Sequence, residues 1–250
     1  MKLTEETTMK RVLFILLALA ITLAGSEAMA WDINFDPFLT TQGGFKDVSR
    51  ELGSALAYRN LAPAAPLGLT GFDVGVQASF ININNNSSFW KAATNDAPSY
   101  IGFPTVRVRK GLPLGIDVGA MYSYVIDSNI KLYGVEVSKA ILEGGIASPA
   151  LGVRATWTKL AGVNDLDLQT AGIDATISKG FVIFTPYAGG GMVWIDSKPT
   201  GNISFLKNES ILQPRGFVGV KFSPLPLLGV TAEVEYAARP IYSLKAGLSF

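Results

Sequence analysis

Cysteine is absent from the 250 residues. Disulfides, thiol nucleophiles and the bacterial lipoprotein anchor are thereby excluded. Histidine is absent too, so the general base suited to neutral pH and the soft metal ligands are missing together with the thiol. No enzyme, cofactor or metal site is expected. Charge is sparse at 16% and nets to +1, which leaves no basic surface for neutralising phosphates, so no nucleic-acid partner is expected. Long apolar runs are lacking as well. The longest, Val12 to Ala24, is shorter than the roughly 20 residues that a spanning helix needs.

That run is flanked by Lys10 and Arg11 and followed by Ala28-Met-Ala30, the small-x-small pattern of a secretory signal peptide cleaved after Ala30. Glu5 and Glu6 suit a signal n-region poorly, so Met9 is a candidate start of translation. An exported chain with no further apolar run is a soluble periplasmic protein, a secreted one or a barrel. The 26 glycines and an aromatic share of 10% suit many short strands joined by tight turns.

Period-two alternation predicts ten strands, near 69–81, 101–110, 114–125, 130–141, 149–160, 166–179, 182–196, 213–223, 228–238 and 240–250. Most are long enough to cross a bilayer at a tilt, and their number is even, as in single-chain bacterial barrels. A twelve-stranded variant would recruit Ser54 to Tyr58 into the wall. With the N-terminus periplasmic, the short connections fall inside and the two longest, 82–100 and 197–212, fall outside.

Aromatic residues sort by strand end. Phe80, Tyr124, Tyr133, Trp157, Trp194, Tyr236 and Tyr242 fall near the outer ends; Phe181, Phe184, Phe222 and Phe250 fall near the inner ones. Two interfacial girdles are expected. The opposite strand faces carry charge. Asp73, Asp117, Glu136, Asp174, Glu233 and Glu235 would meet Arg107, Arg109, Arg154, Arg215, Lys221 and Lys245 inside the tube, six acids against six bases. Such balance favours a lumen filled by an ion-pair network, with a narrow polar channel as the alternative. Glu233 and Glu235 share a face and could serve as an acid-base pair, but lumen structure explains them equally well. Gly189-Gly-Gly191 lacks the Lys-Ser/Thr of a phosphate loop and reads as close packing or a bulge in a strand.

Before the first strand, Phe45, Val48, Leu52 and Leu56 recur at helical spacing, with Pro63 and Pro66 beyond them. This helix, near 43–58, is expected to plug the lumen from below, lie on the inner leaflet or touch a periplasmic partner. In the sixth strand the apolar phase slips, from Leu166 and Leu168 to Ile173, Ala175 and Ile177, which predicts a bulge near Ala171-Gly172.

The chain ends Pro240-Ile-Tyr-Ser-Leu-Lys-Ala-Gly-Leu-Ser-Phe250, with Tyr242, Leu244, Ala246, Leu248 and Phe250 on one face. The pattern resembles the closing strand of bacterial outer-membrane β-barrels of the outer membrane protein A and porin-like kind. The resemblance implies an antiparallel up-and-down transmembrane barrel, embedded in outer-membrane lipid and monomeric. It also implies that Tyr242, Leu248 and Phe250 form the signal read by the barrel-assembly machinery. The run Leu61 to Gly75 looks like an opening seen in uncharacterised proteobacterial outer-membrane proteins and implies no activity. Outer-membrane proteases, phospholipases and lipid A-modifying enzymes are similar in size, but they draw on a histidine that this sequence lacks. The expected organisation is a signal peptide over 1–30, a plug or periplasmic segment over 31–68, and a barrel over 69–250. Its expected role is structural or surface-recognising through the outer loops, with a narrow pore or small-solute channel as the alternative.

Overall fold

The computed structural model describes residues 41–82, 100–124 and 130–250. The leader over 1–30, the Asn-rich connection 83–99 and the turn around Asp127 lie outside the described residues.

Ten antiparallel strands close into one barrel. They are β1 (Phe72–Asn82), β2 (Tyr100–Leu112), β3 (Ile116–Tyr124), β4 (Lys131–Leu142), β5 (Ala150–Ala161), β6 (Leu166–Ser178), β7 (Phe184–Pro199), β8 (Glu209–Leu225), β9 (Leu228–Tyr236) and β10 (Pro240–Ser249). Each pairs with its sequence neighbours, and β1 closes on β10 from Asp73–Ser249 to Ile81–Ile241. No edge strand remains along the closed wall, which removes the row of unpaired backbone groups that lipid cannot satisfy. The end where β1 begins and β10 finishes is termed proximal, the other distal.

The wall has an apolar outside. Val106, Val118, Val135, Ile173, Val218 and Val234 are all exposed on it, while the residues between them point inward and are mostly buried. Strands of about 10–13 residues rising about 3.3 Å each at a tilt near 40° span about 25–33 Å, the thickness of a bilayer's hydrocarbon core.

The helix α1 (Gln42–Leu56) starts at Thr41, whose hydroxyl accepts from the amide of Gly44 at 3.2 Å. It carries Gly43, Gly44 and Gly53 and is a weak helix by propensity, so packing sustains it. Phe45, Val48, Leu52 and Leu56 form that packing face. They join Tyr58, Ile81, Met121, Leu132, Leu160, Leu166, Leu168, Ile203 and Ile241 in one apolar cluster inside the barrel.

Ile81, Leu132, Leu160 and Ile241 all stand near the distal ends of their strands. The helix therefore occupies the distal half of the lumen, not the proximal end at which the sequence reading set it. The chain then descends. The amide of Leu61 donates to Glu233, that of Ala64 to the Ser178 hydroxyl and that of Leu67 to Asp117, before β1 starts at the proximal mouth. Residues 41–71 thus thread the whole tube from distal to proximal end.

Three local expectations change. β6 runs without a register shift against both neighbours, so there is no bulge at Ala171-Gly172. The apolar phase slips because Leu166 and Leu168 face inward onto α1, whereas Ile173 and Ile177 face out. β8 begins at Glu209 and β7 ends at Pro199, which shortens the long connection to 200–208. Ser54 to Tyr58 lies in the helix and the lumen, and the strand count is ten.

The seventh strand keeps its internal proline. The Pro186 carbonyl accepts from the Lys179 amide, so its ring nitrogen also faces β6, beyond the last β6–β7 pair at Ser178–Tyr187, and no donor toward β8 is lost.

Candidate plug and lumen charge network

Below the apolar cluster the lumen turns ionic. Asp73, Arg107, Arg109, Asp117, Glu136, Arg154, Asp174, Arg215, Glu233, Glu235 and Lys245 are all buried there. They point inward because each sits on the phase of its strand opposite that of lipid-facing neighbours such as Val106, Val118, Val135 and Val234.

Three carboxylates organise most of the cations. Asp174 takes both Nε and Nη2 of Arg215, at 2.7 and 2.5 Å, and Nη2 of Arg154 at 2.6 Å. Glu136 lies 2.8 Å from Nε of Arg109, 3.3 Å from Arg107 and 3.4 Å from Arg154. Asp117 pairs with Arg109 at 3.1 Å and accepts the Leu67 amide. Lys245 and Asp73 form a separate pair at 2.8 and 3.0 Å. Lys221 stands apart nearer the proximal mouth, half-buried, and donates to the Ser249 hydroxyl at 2.8 Å. Charge-assisted bonds of this kind are short and strong, and inside a low-dielectric tube they offset the cost of taking the ions out of water.

The threaded segment supplies what the wall lacks. Arg59 is a sixth buried base, donating to Glu235 at 3.1 Å and to the carbonyls of Ser54, Ala55 and Ala57 at the foot of α1. The Arg59 carbonyl accepts from Arg154 at 2.8 Å and from Arg107 at 3.4 Å, and the Tyr58 carbonyl accepts from Arg215 at 2.8 Å. Three wall arginines therefore clamp two consecutive carbonyls. The Tyr58 ring lies against two of them, with the guanidinium carbons of Arg107 and Arg154 at 5.0 and 5.8 Å from its centroid. Glu233 completes the clamp, accepting from the Leu61 amide at 2.9 Å and the Tyr187 hydroxyl at 2.8 Å.

Small residues make room for the plug. A Cβ added at Gly53 would stand 2.3 Å from Ile195, and one at Gly134 would stand 2.9 Å from the Tyr58 ring. At the distal end Ser49 and Ser197 share a hydrogen bond at 2.9 Å, Gln42 binds Glu209 and the Lys207 carbonyl, and Arg239 pairs with Glu51 at 2.9 Å. A cavity of about 20 Å³ between Asn60, Ala64, Arg109, Asp117 and Arg154 has room for about one water.

The sequence reading found the wall charges but not Arg59, nor the carbonyls that the arginines hold. The available signal was Tyr58-Arg-Asn60, a polar triplet inside a stretch otherwise of Ala, Leu and Pro. Among the described residues no group of His, Cys, Asp and Glu could hold a metal ion. Glu233 and Glu235 do share an inward face, but each is taken up by the plug.

The aromatic residues at the strand ends stand outside the wall. Phe80, Tyr124, Tyr133, Trp157, Trp194, Tyr236 and Tyr242 are exposed near the distal strand ends. At the proximal end Phe250 stacks on Phe72 and Phe222 on Phe184, with centroids 5.7 and 4.9 Å apart, and Phe181 is exposed beside them. Leu248 lies in β10 opposite Val74.

No family model and no curated protein matches the chain. Among solved structures it is similar to the N-terminal β-barrel domain of Pseudomonas aeruginosa OprF, at 10% identity and a TM-score of 0.39, covering 73% of this chain and 99% of that one. The outer membrane protein OprG of the same organism gives 10% and 0.39, covering 77% and 99%. Ail, the attachment invasion locus protein of Yersinia pestis, gives 13% and 0.30, covering 72% and 97%. The closed ladder and the apolar exterior make this chain a small membrane β-barrel of the kind that outer membranes hold.

Proposed function

We propose that the chain is an outer-membrane barrel closed by its own N-terminal segment, with a structural or surface-recognition role exercised at its distal end and no catalytic activity. The proximal end faces the periplasm in this reading, after removal of the leader at Ala30. Tyr242, Leu248 and Phe250 address the closing strand to the assembly machinery, and the two aromatic sets mark the membrane's interfaces. The inward charges act as a latch for the plug and not as a conduction path, and the barrel works as a monomer.

The observation that carries this reading is the clamp of Arg107, Arg154 and Arg215 on the Tyr58 and Arg59 carbonyls. Pulling the segment out would strip acceptors from three buried guanidinium groups at once, each a loss of about 1.5–3 kcal/mol. Among the described residues, the surface left for recognition is the exposed side of α1, with Lys46 and Asp47, and the 200–208 connection, with Phe205.

Planar-bilayer recording of the pure full-length chain tests the proposal. It predicts no steady conductance. Reproducible nanosiemens steps from the unaltered protein would favour a narrow pore and overturn the plugged reading.

A further inference from the structure

The proximal turns carry apolar side chains where water-facing turns need polar or small ones. Leu114 is 79% exposed, and Ile146 and Val182 are fully exposed. Leu227 is half-exposed. They stand at the tips of the four proximal connections. Val182 and Ile183 form a two-residue turn closed by reciprocal bonds between Phe181 and Phe184, and Pro226 and Leu227 a second between the paired Leu225 and Leu228. Such turns place a residue at positive φ and ordinarily use Gly, Asn or Asp there. Here Leu114, Val182 and Leu227 take that place, at φ of 66°, 42° and 74°. For a β-branched valine this backbone region is strained. Exposure to water would add a further cost, so the tips need a contact outside the chain.

Several backbone carbonyls at this end are satisfied by lysines of the chain. The Lys179 ammonium donates to the carbonyls of Gly145, Ile146 and Ser148 at 2.9, 2.7 and 3.1 Å. Lys139 donates to the Leu114 carbonyl. Lys110 donates to those of Leu69 and Gly71, with its ammonium 4.8 Å from the centroid of the Phe72 ring. Turns that project into water need no such donors; turns set where water is scarce do. The outward side-chain charges of this rim among the described residues are those three lysines against Glu143. The rim therefore favours anionic groups.

We propose that the proximal turns are sunk in the phospholipid headgroup layer, with Leu114, Ile146, Val182 and Leu227 reaching the acyl boundary and Lys110, Lys139 and Lys179 facing lipid phosphate. This rests on the membrane-barrel reading. The apolar tips continue the lipid-facing wall through Val153, Ile177 and Phe184, and the cations complement the phosphates, so lipid is the occupant that both observations fit. Among the described turns, the combination of an exposed apolar side chain with positive φ is confined to this end. The described distal connections, 162–165, 200–208 and 237–239, carry positive φ only at Gly162 and Gly201.

The absence of cysteine makes the test direct. Nitroxide labels are placed singly at Val182→Cys, Ile146→Cys, Val218→Cys on the lipid-facing wall and Ser204→Cys on the exposed distal connection. Accessibility to oxygen and to a water-soluble nickel chelate is then read in vesicles of phosphatidylethanolamine and phosphatidylglycerol. The expected result is an oxygen-over-nickel ratio at positions 182 and 146 shifted toward that of 218 and away from that of 204. Ratios at 182 and 146 equal to that of 204, with 218 still reading as lipid, would overturn the proposal. The same two ratios becoming protected only in native outer-membrane fragments would assign the tips to a protein partner and overturn it equally. A water-like reading at 218 itself would instead overturn the membrane reading on which the proposal stands.

Discussion

Arg154 joins the plug to the wall: one nitrogen of its guanidinium donates to the Arg59 carbonyl at 2.8 Å while the other reaches Asp174 at 2.6 Å. Asp174 in turn holds Arg215, which donates to the Tyr58 carbonyl. A charge on the barrel wall is thereby neutralised and aimed by another wall residue, and its other terminal nitrogen fastens the backbone that fills the tube. Neither the plug nor the network is complete without the other.

Asp174→Leu leaves Arg154 and Arg215 buried without their shared carboxylate. Breaking such a group typically costs about 3–5 kcal/mol. The midpoint of urea unfolding, followed by the heat-modifiable gel shift of the folded barrel, is expected to fall by the corresponding amount.

The Lys245–Asp73 pair is set apart from those clusters and permits a cleaner comparison. Asp73→Leu alone is expected to destabilise strongly, whereas Asp73→Leu combined with Lys245→Met recovers most of the loss, because a matched apolar pair leaves no buried charge. Equal unfolding midpoints for the single and double variants would show that the pair does not act as a unit.

Gly53→Val places a branched side chain where even a Cβ would stand 2.3 Å from Ile195. The helix is expected to lose its seat while the wall still closes. Limited proteolysis should then cleave within 42–56 in the folded barrel. Gly43→Val is the control, since nothing lies within 4 Å of its added Cβ.

Much of the wall was legible because its chemistry has period two. Lipid on one side and charge on the other force strict alternation, so Val106-Arg107-Val108-Arg109 and Thr231-Ala232-Glu233-Val234-Glu235 declare both their strands and their faces. The helix was legible by its spacing of three and four.

Its place was not legible. Phe45, Val48, Leu52 and Leu56 state that one face is buried but not against what, and the answer lies in Leu166 and Leu168, more than a hundred residues away, whose inward turn reads from sequence alone as a bulge. The distal extension of β8 was hidden for a different reason. The missed residues, 209–212, hold two consecutive apolar side chains, because Ile211 packs inward with Ala57, Val193 and Ile195 while Leu212 faces out, and the pair reads as no clear amphipathic alternation. Arg59 escaped notice because its partners are backbone carbonyls and a glutamate 176 residues on.

Leu168→Cys and Ile173→Cys test that reading of β6. Leu168 is buried against α1 and Ile173 faces out. A lipid-soluble maleimide is expected to modify position 173 in the folded barrel and to leave 168 unmodified until the protein is unfolded. Reaction at both positions would mean that β6 does bulge.

The central claim is that the N-terminal helix is seated within the distal half of the lumen, and Ser49 with Ser197 offers the most direct measurement, their hydroxyl oxygens lying 2.9 Å apart. In a chain that otherwise lacks cysteine, the double variant Ser49→Cys/Ser197→Cys is oxidised in isolated outer membranes and analysed by non-reducing electrophoresis and peptide mapping. The account predicts near-complete formation of the 49–197 disulfide with the folded migration retained. Two free thiols that each react with a water-soluble maleimide in the folded barrel, and do not join, would contradict it.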